Sequence, residues 1–319
     1  MTGDTLILGL NPTWQRLFLV DEFKPGEVNR LSRVEKFASG KGINCARVLR
    51  VLGGDFILAH FLGGDRSVSI CDEVAAAGIR QIPIWIGAST RICTTIMSKG
   101  DTTELIEPSP KITASENKDF LQTMEEIWAD VANVVLCGSL PAGFQMENLA
   151  QLDLTGKRLF IDAVDGIDDW LSGGAELLKI NLSEYCKLLQ RFGIPQITSS
   201  PQFWKMTAST LLERLPIKNL VVTDEDMPIH VFYAQEGKIM GVSLQPPSVK
   251  VVNDIGAGDA FLAGWLSADF LGLPIAERLA HATAVSAARC EVDRPWNIDL
   301  GRVSSFESEL ISRVEKIAD

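Results

Sequence analysis

The sequence predicts an α/β fold, in which a mainly parallel sheet lies between two layers of helices and a small second β-sheet stands beside it. Three observations support this prediction. Apolar strand-like runs alternate with helical patterns at the spacing of βαβ units. Two stretches of mixed polar and apolar residues, near 12–37 and 86–109, interrupt this series. The 319 residues are 46% hydrophobic, enough for one large core, so we expect a single domain over residues 1–319.

Both interruptions fall in the first third of the chain. A buried strand, Thr5–Leu10, ends at the turn signal Asn11-Pro12, and Ser39-Gly40-Lys41-Gly42 begins a helix that ends at Gly53. Around these we predict, in order, strands Leu17–Val20, Val28–Phe37 and Phe56–Leu62, helix Arg66–Ala77, strand Gln81–Ile86, and a hairpin of Arg91–Met97 and Thr103–Glu107 around Lys99-Gly100-Asp101. The half-exposed strands can pair into one small sheet, which we interpret as a lid, with a dimer interface as a second use.

The alternation of helices and strands resumes in the rest of the chain. The predicted helices are Ser115–Ala129, Met146–Leu152, Ser183–Gln190, Pro201–Leu215 and those after Gly258. The predicted strands are Asn133–Cys137, Arg158–Ala163, Leu177–Ile180, Asn219–Thr223, Ile229–Tyr233 and Lys238–Val242. No internal repeat or low-complexity linker divides the sequence.

Composition argues against several classes of partner. The formal net charge of −11 argues against a nucleic-acid duplex or an anionic membrane as partner, because either would call for a basic face. No apolar stretch approaches the ~20 residues of a membrane span, and the first ten residues lack the basic region of a signal peptide. The six cysteines form no C-x-x-C pair, as is typical of buried thiols in a reducing compartment, so we expect a cytoplasmic protein. The three histidines fall in no metal-binding frame, and there is no G-x-S-x-G hydrolase motif.

The stretch Val251–Gly264 carries the strongest chemical signal. Two β-branched residues lead into Gly256-Ala257-Gly258, after which the pattern becomes helical. Glycines let a backbone approach a ligand closely, and N–H groups at a helix N-terminus bind anions. There the carboxylate of Asp259 is expected to stay ionised and could take a proton during phosphoryl transfer. A glycine-rich turn whose Asp259 only caps a helix is the equal alternative on this stretch alone.

Five motifs occur in the order typical of one family: Asn11-Pro12, Ser39-Gly40-Lys41-Gly42-Ile43-Asn44, Gly138-Ser139-Leu140-Pro141-Ala142-Gly143, Lys179-Ile180-Asn181-Leu182-Ser183-Glu184 and Gly256-Ala257-Gly258-Asp259. Over nearly its whole length the chain resembles the ribokinase-like (PfkB) carbohydrate kinases. Asn253 and the segment Gly26–Arg30 resemble the 1-phosphofructokinase and tagatose-6-phosphate kinase branch. The resemblance implies a ribokinase-like three-layer αβα domain with a small β-sheet lid.

The resemblance also implies roles on the acceptor side of the reaction. Asp259 matches the base that deprotonates the acceptor hydroxyl, and the amides of Gly256, Ala257 and Gly258 match the anion hole. Residues that match the substrate-binding positions are Gly40, Lys41, Asn44, Arg30, Arg91 and Ser139. Of these, the two arginines match groups that grip a phosphate already on the sugar, which suits their forked donors, although a lone surface arginine is usually only solvated. Asn44 could instead bond to its own backbone, and Ser139 could be a helix cap.

On the nucleotide side, the resemblance implies ATP and Mg²⁺. Asn181 and Glu184 have the N-x-x-E spacing that orders magnesium through water, and oxygen ligands suit this ion. Glu184 could instead be an acid that stabilises the first turn of its helix. Lys179 would face the triphosphate, and Thr223 ends a strand beside the nucleotide.

Two departures from the family pattern affect the substrate and the nucleotide. Gln15 stands where an aspartate normally contacts sugar hydroxyls, so the sugar could differ. After Thr223, the usual glycines are replaced by acids at Asp224, Glu225 and Asp226, which should repel a triphosphate unless the loop turns outward or a metal intervenes.

Three functions remain open from the sequence. The leading hypothesis is ATP-dependent phosphorylation of a sugar phosphate, with a small-molecule substrate and a possible homodimer through the lid. The second is a kinase for an unphosphorylated sugar or nucleoside. The third is a non-catalytic sugar-phosphate-binding protein that has lost its nucleotide site.

Overall fold

The computed structural model describes residues 4–98, 101–145, 147–195, 201–294 and 296–317. Their strands are β1 (Thr5–Leu8), β2 (Thr13–Leu19), β3 (Arg33–Ser39), β4 (Ile57–Leu62), β5 (Arg80–Trp85), β6 (Ile92–Ser98), β7 (Asp101–Ile106), β8 (Asn133–Cys137), β9 (Arg158–Asp162), β10 (Ala175–Asn181), β11 (Ile217–Thr223), β12 (Ile229–Gln235), β13 (Lys238–Leu244) and β14 (Glu315–Lys316). Their helices are α1 (Lys41–Val51), α2 (Ser67–Ala76), α3 (Ala114–Ile127), α4 (Glu147–Ala150), α5 (Asp168–Gly173), α6 (Leu182–Arg191), α7 (Pro201–Arg214), α8 (Ala257–Phe270), α9 (Ile275–Cys290) and α10 (Leu300–Leu310).

The large sheet is mainly parallel, as predicted. Its strand order is β14-β13-β12-β11-β10-β9-β8-β1-β4-β5. The strands from β5 to β11 pair in parallel, and β12, β13 and β14 add an antiparallel edge. The carboxyl ends of the parallel strands therefore meet at one edge of the sheet, where α/β folds place their sites.

Helices cover both faces of this sheet. Successive residues of β8 belong to different apolar clusters: Val135 packs in one, and Val134 and Leu136 pack in the other. The first cluster includes side chains of α1, α8, α9 and α10, and the second includes side chains of α3, α6 and α7. Because side chains alternate along a strand, these two clusters are the two interlayer cores, and the predicted three-layer arrangement is confirmed.

The two interruptions pair into a separate sheet with the order β3-β2-β6-β7. β2 and β6 pair in parallel, and β3 and β7 flank them as antiparallel edges. The predicted strand Val28–Phe37 begins only at Arg33, because Gly26 adopts φ 83° and the side chain of Asn29 closes a loop onto the backbone of Lys24. Of the predicted hairpin turn, Lys99 and Gly100 lie outside the described residues.

Three short elements differ from the prediction. α5 and β14 were not predicted, because a six-residue helix and a two-residue strand leave little periodicity to detect. α4 is shorter than the predicted helix Met146–Leu152, whose first residue lies outside the described part. Within the part of the chain that the structure describes, every helix is too short or too polar to cross a membrane.

Candidate active site

The Gly-Ala-Gly turn opens α8, as the sequence predicts. Gly256 precedes the helix in the left-handed conformation, with φ 80° and ψ 12°, which only glycine adopts without strain. The N–H of Ala257 donates to the carbonyl of Asp254 (3.0 Å), whereas the N–H groups of Gly256, Gly258 and Asp259 make no hydrogen bond within the described residues. The open amides thus include one that the sequence did not single out, that of Asp259, and exclude that of Ala257.

Asp259 is buried, with 7% of its surface exposed. Asn44 Nδ2 donates to Asp259 Oδ2 (2.8 Å), and Ser39 Oγ donates to Asn44 Oδ1 (3.1 Å). Burial, followed by the nearby charge of Asp162, raises the pKa of Asp259 above its ordinary value. The position at a helix N-terminus had suggested a carboxylate that ionises easily, but desolvation outweighs that effect here.

A carboxylate that the sequence reasoning missed joins two of the predicted lysines. Asp162, at the end of β9, is fully buried, and its Oδ1 and Oδ2 accept from Lys41 Nζ (2.7 Å) and Lys179 Nζ (2.8 Å). Burial opposes ionisation, but the two ammonium groups outweigh it and hold the pKa of Asp162 below its usual value. The sequence did contain a signal for Asp162, because it is the last residue of a buried strand, and the carboxyl ends of parallel strands meet at the edge of the sheet where sites lie.

The two lysines adjoin different parts of the site. A methyl group on Gly258 would lie 3.1 Å from Lys179 Nζ, so this ammonium adjoins the turn. Lys41 is also 3.7 Å from Glu184 Oε1. Although burial acts in the opposite direction, Asp162, Glu184 and Asp259 raise the pKa of Lys41, which keeps it charged.

A cavity of about 200 Å³ opens next to Lys41. It is lined by Gly9, Asn11, Lys41, Gly42, Arg91, Cys137, Gly138, Ser139 and Glu184. Asn11 Nδ2 donates to Ser139 Oγ (3.0 Å), and the guanidinium of Arg91 donates to the carbonyl of Asn11 (3.1 Å). Three of the predicted substrate residues, Lys41, Arg91 and Ser139, therefore line one space.

Two other predicted substrate residues, Gln15 and Arg30, lie on the small sheet and on one of its loops. Gln15 is buried on β2, where its Nε2 donates to Thr95 Oγ1 (2.8 Å) and to the carbonyl of Arg16 (3.3 Å). Arg30 is exposed on the loop between β2 and β3 and is not brought to the cavity.

The predicted magnesium residues form a capping box at the start of α6. Asn181 Oδ1 accepts from the N–H of Glu184 (2.8 Å), and Glu184 Oε2 accepts from the N–H of Asn181 (2.9 Å). Glu184 thus acts as the alternative predicted, an acid that stabilises the first turn of its helix. Only its Oε1 remains to face the cavity. Within the described ranges, no three His, Cys, Asp or Glu side chains cluster as a metal cage would. A single carboxylate oxygen, which also lies 3.7 Å from Lys41 Nζ, fits a magnesium ion that keeps most of its waters.

Thr223 ends β11 at the same edge of the sheet, where its Oγ1 donates to the carbonyl of Ile180 (3.5 Å). The acids that follow form a turn in which the N–H of Met227 donates to the carbonyl of Asp224 (2.7 Å). Asp224 is half-buried, and the side chains of Glu225 and Asp226 are exposed. The two exposed acids are therefore screened by solvent, which reduces their repulsion toward a nearby anion.

The arrangement as a whole joins open amides, a buried carboxylate of raised pKa and two lysines at one sheet edge. This combination beside a small second sheet is typical of small-molecule phosphotransferases. The pfkB family carbohydrate kinase model matches residues 13–295. The chain belongs to the pfkB family of carbohydrate kinases, and ATP is the family's co-substrate.

Relatives agree with this assignment. Tagatose-6-phosphate kinase of Staphylococcus epidermidis is 29% identical over 266 residues, which are 81% of this chain and 83% of that protein. The structure of phosphofructokinase-2 from Escherichia coli in complex with substrates and products has a TM-score of 0.84 at 20% identity, over 96% of this chain and 98% of that one. Ribokinase from Thermotoga maritima has a TM-score of 0.75 at 20% identity, over 95% and 99%. The predicted ribokinase-like fold and carbohydrate kinase class are thereby confirmed.

Proposed function

We propose that this protein transfers the γ-phosphoryl group of ATP to a hydroxyl of a sugar phosphate, as tagatose-6-phosphate kinases and 1-phosphofructokinases do. One observation carries the proposal: Asp259, buried and of raised pKa, lies beside the open amides of the turn. A base whose pKa is raised takes a proton more readily than an ordinary aspartate. The relatives named tagatose-6-phosphate kinase support the substrate class.

In this mechanism Asp259 takes the proton of the acceptor hydroxyl while that oxygen attacks the γ-phosphorus. The bond from the γ-phosphorus to the β–γ bridging oxygen of ATP breaks, ADP leaves with that oxygen, and the proton stays on the carboxylate until product leaves. The amides of Gly256 and Gly258 hold the oxygens of the phosphoryl group in flight, and Lys179 offsets their charge. Asn44 orients the carboxylate through its hydrogen bond.

The phosphate already on the sugar would bind in the cavity beside Lys41, Arg91 and Ser139. Two cations and a hydroxyl suit a dianion. Gln15, on the lid, is our candidate for reading the sugar hydroxyls, since an amide both donates and accepts. Arg30 is exposed, so its predicted phosphate contact requires movement of its loop or a second subunit.

On the nucleotide side, Lys179 and Thr223 remain our candidates to contact ATP. Glu184 and, through water, Asn181 would hold Mg²⁺, which neutralises charge on the β- and γ-phosphates when bound. The pair keeps its capping box in this arrangement, so only Glu184 Oε1 needs to face the hydrated ion.

The test is ADP release by the purified protein with MgATP and one acceptor at a time. The panel contains tagatose 6-phosphate, fructose 1-phosphate, fructose 6-phosphate, free sugars and nucleosides. We expect turnover on a phosphorylated sugar. Turnover on unphosphorylated acceptors alone would overturn the substrate class, and silence on every acceptor together with no calorimetric binding of MgATP would overturn the kinase.

Arg91 discriminates between the acceptor classes. Arg91→Ala should raise KM for a phosphorylated acceptor by ~10- to 100-fold, which corresponds to the loss of one hydrogen bond to a charged group. KM for ATP should change little. Arg16→Ala, which removes a half-buried arginine from the neighbouring strand of the same sheet, is the matched control. An unchanged acceptor KM in Arg91→Ala would place the sugar phosphate elsewhere.

We also propose that two copies associate through their lids. The register of the small sheet puts Phe18 and Val34 on one face, together with Leu105. Val34 is 47% and Leu105 57% exposed, which is unusual for large apolar side chains on a sheet. A second lid related by two-fold symmetry would cover this face.

A further inference from the structure

Arg289, in the last turn of α9, is one of the largest fully buried side chains in the protein. Its guanidinium donates to the backbone carbonyls of Asn253 (3.2 Å), Val292 (3.1 Å) and Ile255. No carboxylate in the described ranges lies within ion-pair distance of it. Removing a charge from water is expensive, and carboxylates such as Asp254 act on Arg289 only from beyond ion-pair distance, so a buried arginine hydrogen-bonded to carbonyls calls for a reason.

Two of the three carbonyls belong to the segment that leads into the anion-binding turn. This segment, 253–256, is neither helix nor strand, so its conformation depends on the groups that bind its backbone. Asn253 is itself buried, and its side chain bonds to the carbonyl of Asp293 (2.8 Å) and the N–H of Ile255 (2.9 Å). Arg289 is the charged member of this network.

The bond to Ile255 determines the direction of the next amide. In a planar trans peptide, the carbonyl of one residue and the N–H of the following residue point in opposite directions. When the carbonyl of Ile255 points to Arg289, the N–H of Gly256 must point away from α9. This is one of the three amides that remain open at the turn.

The same bond keeps a second amide open. Ile255 stands four residues before Asp259, the position from which a continuous helix would accept the N–H of Asp259. Gly256, in the left-handed conformation, is the N-terminal limit of α8, and the carbonyl of Ile255 is directed to Arg289 and not to the N–H of Asp259, which remains free for a ligand.

We infer that Arg289 is a positioning residue that holds the Asn253–Gly256 segment so that the open amides of Gly256 and Asp259 face the transferring phosphoryl group. This inference rests on the proposed kinase function. A guanidinium suits the task because it donates from separate nitrogens in fixed directions, whereas an ammonium is a single point donor. Burial lowers the pKa of Arg289 to about 10, so the group stays charged at neutral pH and adds positive potential behind the turn.

The experiment compares Arg289→Met and Arg289→Lys with Arg278→Met, in the full-length protein. Arg278 is a fitting control because it lies on the same helix and donates to the carbonyl of Leu273 and to Asp269, away from the turn. Removing one preorganised oxyanion donor lowers kcat by ~10²–10³-fold, and we expect a loss of this size in Arg289→Met. KM for the acceptor should stay within about threefold, because ground-state contacts are retained.

Three further readouts separate positioning from general stability. First, kcat should fall less in Arg289→Lys than in Arg289→Met. Second, millimolar guanidinium ion should partly restore kcat in Arg289→Met and leave kcat of Arg278→Met unchanged. Hydrogen exchange in the peptide covering 253–260 should speed up by ~10-fold in Arg289→Met and stay unchanged in Arg278→Met, because only the first loses bonds to this segment. If Arg289→Met does not fold, the test uses kcat and hydrogen exchange over 253–260 in Arg289→Lys instead.

Two results would overturn the inference: a folded Arg289→Met with kcat within threefold of the wild-type protein, or unchanged exchange over 253–260 in that variant. Failure of the proposed function looks different. In that case the wild-type protein itself turns over no acceptor, while the exchange comparison still decides whether Arg289 holds the segment.

Discussion

Asp259 is subject to opposing influences on its proton affinity. Burial and the negative charge of Asp162 raise its pKa, while Asn44, which donates to the carboxylate, and the nearby lysines lower it. The first pair of effects prevails. The result is a carboxylate that is a better base than a solvated aspartate.

Replacing Asp259 tests its role as base. Asp259→Asn keeps the size of the side chain but cannot accept the proton, so kcat should fall by ~10²–10⁴-fold. ADP release under saturating substrates measures this effect. Asp72→Asn, an exposed aspartate on α2, should leave kcat unchanged. A loss of less than tenfold in Asp259→Asn would mean that another group takes the proton.

The hydrogen bond from Asn44 should be visible in the pH profile. A bond donated to a carboxylate favours its ionised form, so Asn44→Ala should raise the pKa of Asp259 further. Activity requires the ionised base and is lost as pH falls through this pKa. The acid limb of kcat/KM should therefore move to higher pH in Asn44→Ala, whatever happens to its absolute rate. A limb that moves to lower pH would contradict this account.

At the scale of elements, α1 brings Lys41 and Asn44 to the sheet through a contact between two backbones. A Cβ on Gly42 would lie 2.3 Å from the Cα of Gly9, and one on Gly9 would lie 2.9 Å from the Cα of Gly42. No side chain fits between helix and strand at this point. The first turn of α1 therefore lies directly against Gly9, the residue that follows β1, which places Lys41 and Asn44 at the carboxyl end of the sheet.

Gly42→Ala should force α1 away from β1. Backbone atoms cannot move aside as a flexible side chain does. We therefore expect a loss of ~1–3 kcal/mol in the free energy of unfolding and a higher KM for the acceptor. Urea denaturation measures the first effect. Gly173→Ala is the matched control, because nothing lies within 4 Å of its Cβ and its φ is negative, so its stability should be equal or slightly higher. Equal stability of the two variants would contradict the packing argument.

At the scale of the whole molecule, the lid is a second sheet whose two faces have different environments. Gln15 and Thr95 are buried on neighbouring strands and bond to each other, whereas Val34 and Leu105 are exposed. The four strands come from two distant parts of the chain, joined by the parallel pairing of β2 and β6. The lid thus depends on tertiary contacts between its two hairpins.

If two lids associate, charge on the exposed face should separate them. The double variant Val34→Glu, Leu105→Glu buries carboxylates at the proposed interface, so it should be monomeric by sedimentation velocity where the wild-type protein is dimeric. Val68→Glu, an exposed apolar residue on α2, should leave the dimer intact. A wild-type protein that is monomeric at micromolar concentration would refute lid-mediated association.

Much of the fold followed from local pattern, because strands and helices are encoded over a few consecutive residues. The alternation of elements, the two lid excursions and the turn at Gly256 were predicted, and the structure confirms them. The start of β3 was predicted too early, since the side chain of Asn29, bonding to the backbone of Lys24, extends the loop and leaves no periodic signal.

The sequence alone determined where the turn lies and which residues form it, because Gly256, Gly258 and Asp259 are adjacent and lead directly into a helix. Only the tertiary structure decided which groups surround it. Asp162 meets a lysine 121 residues away, and Asn44 meets Asp259 across 215 residues. The pKa of Asp259 and the role of Arg289 depend on burial and on backbone direction. Both properties arise when distant segments pack together and exclude water, and no local pattern encodes them.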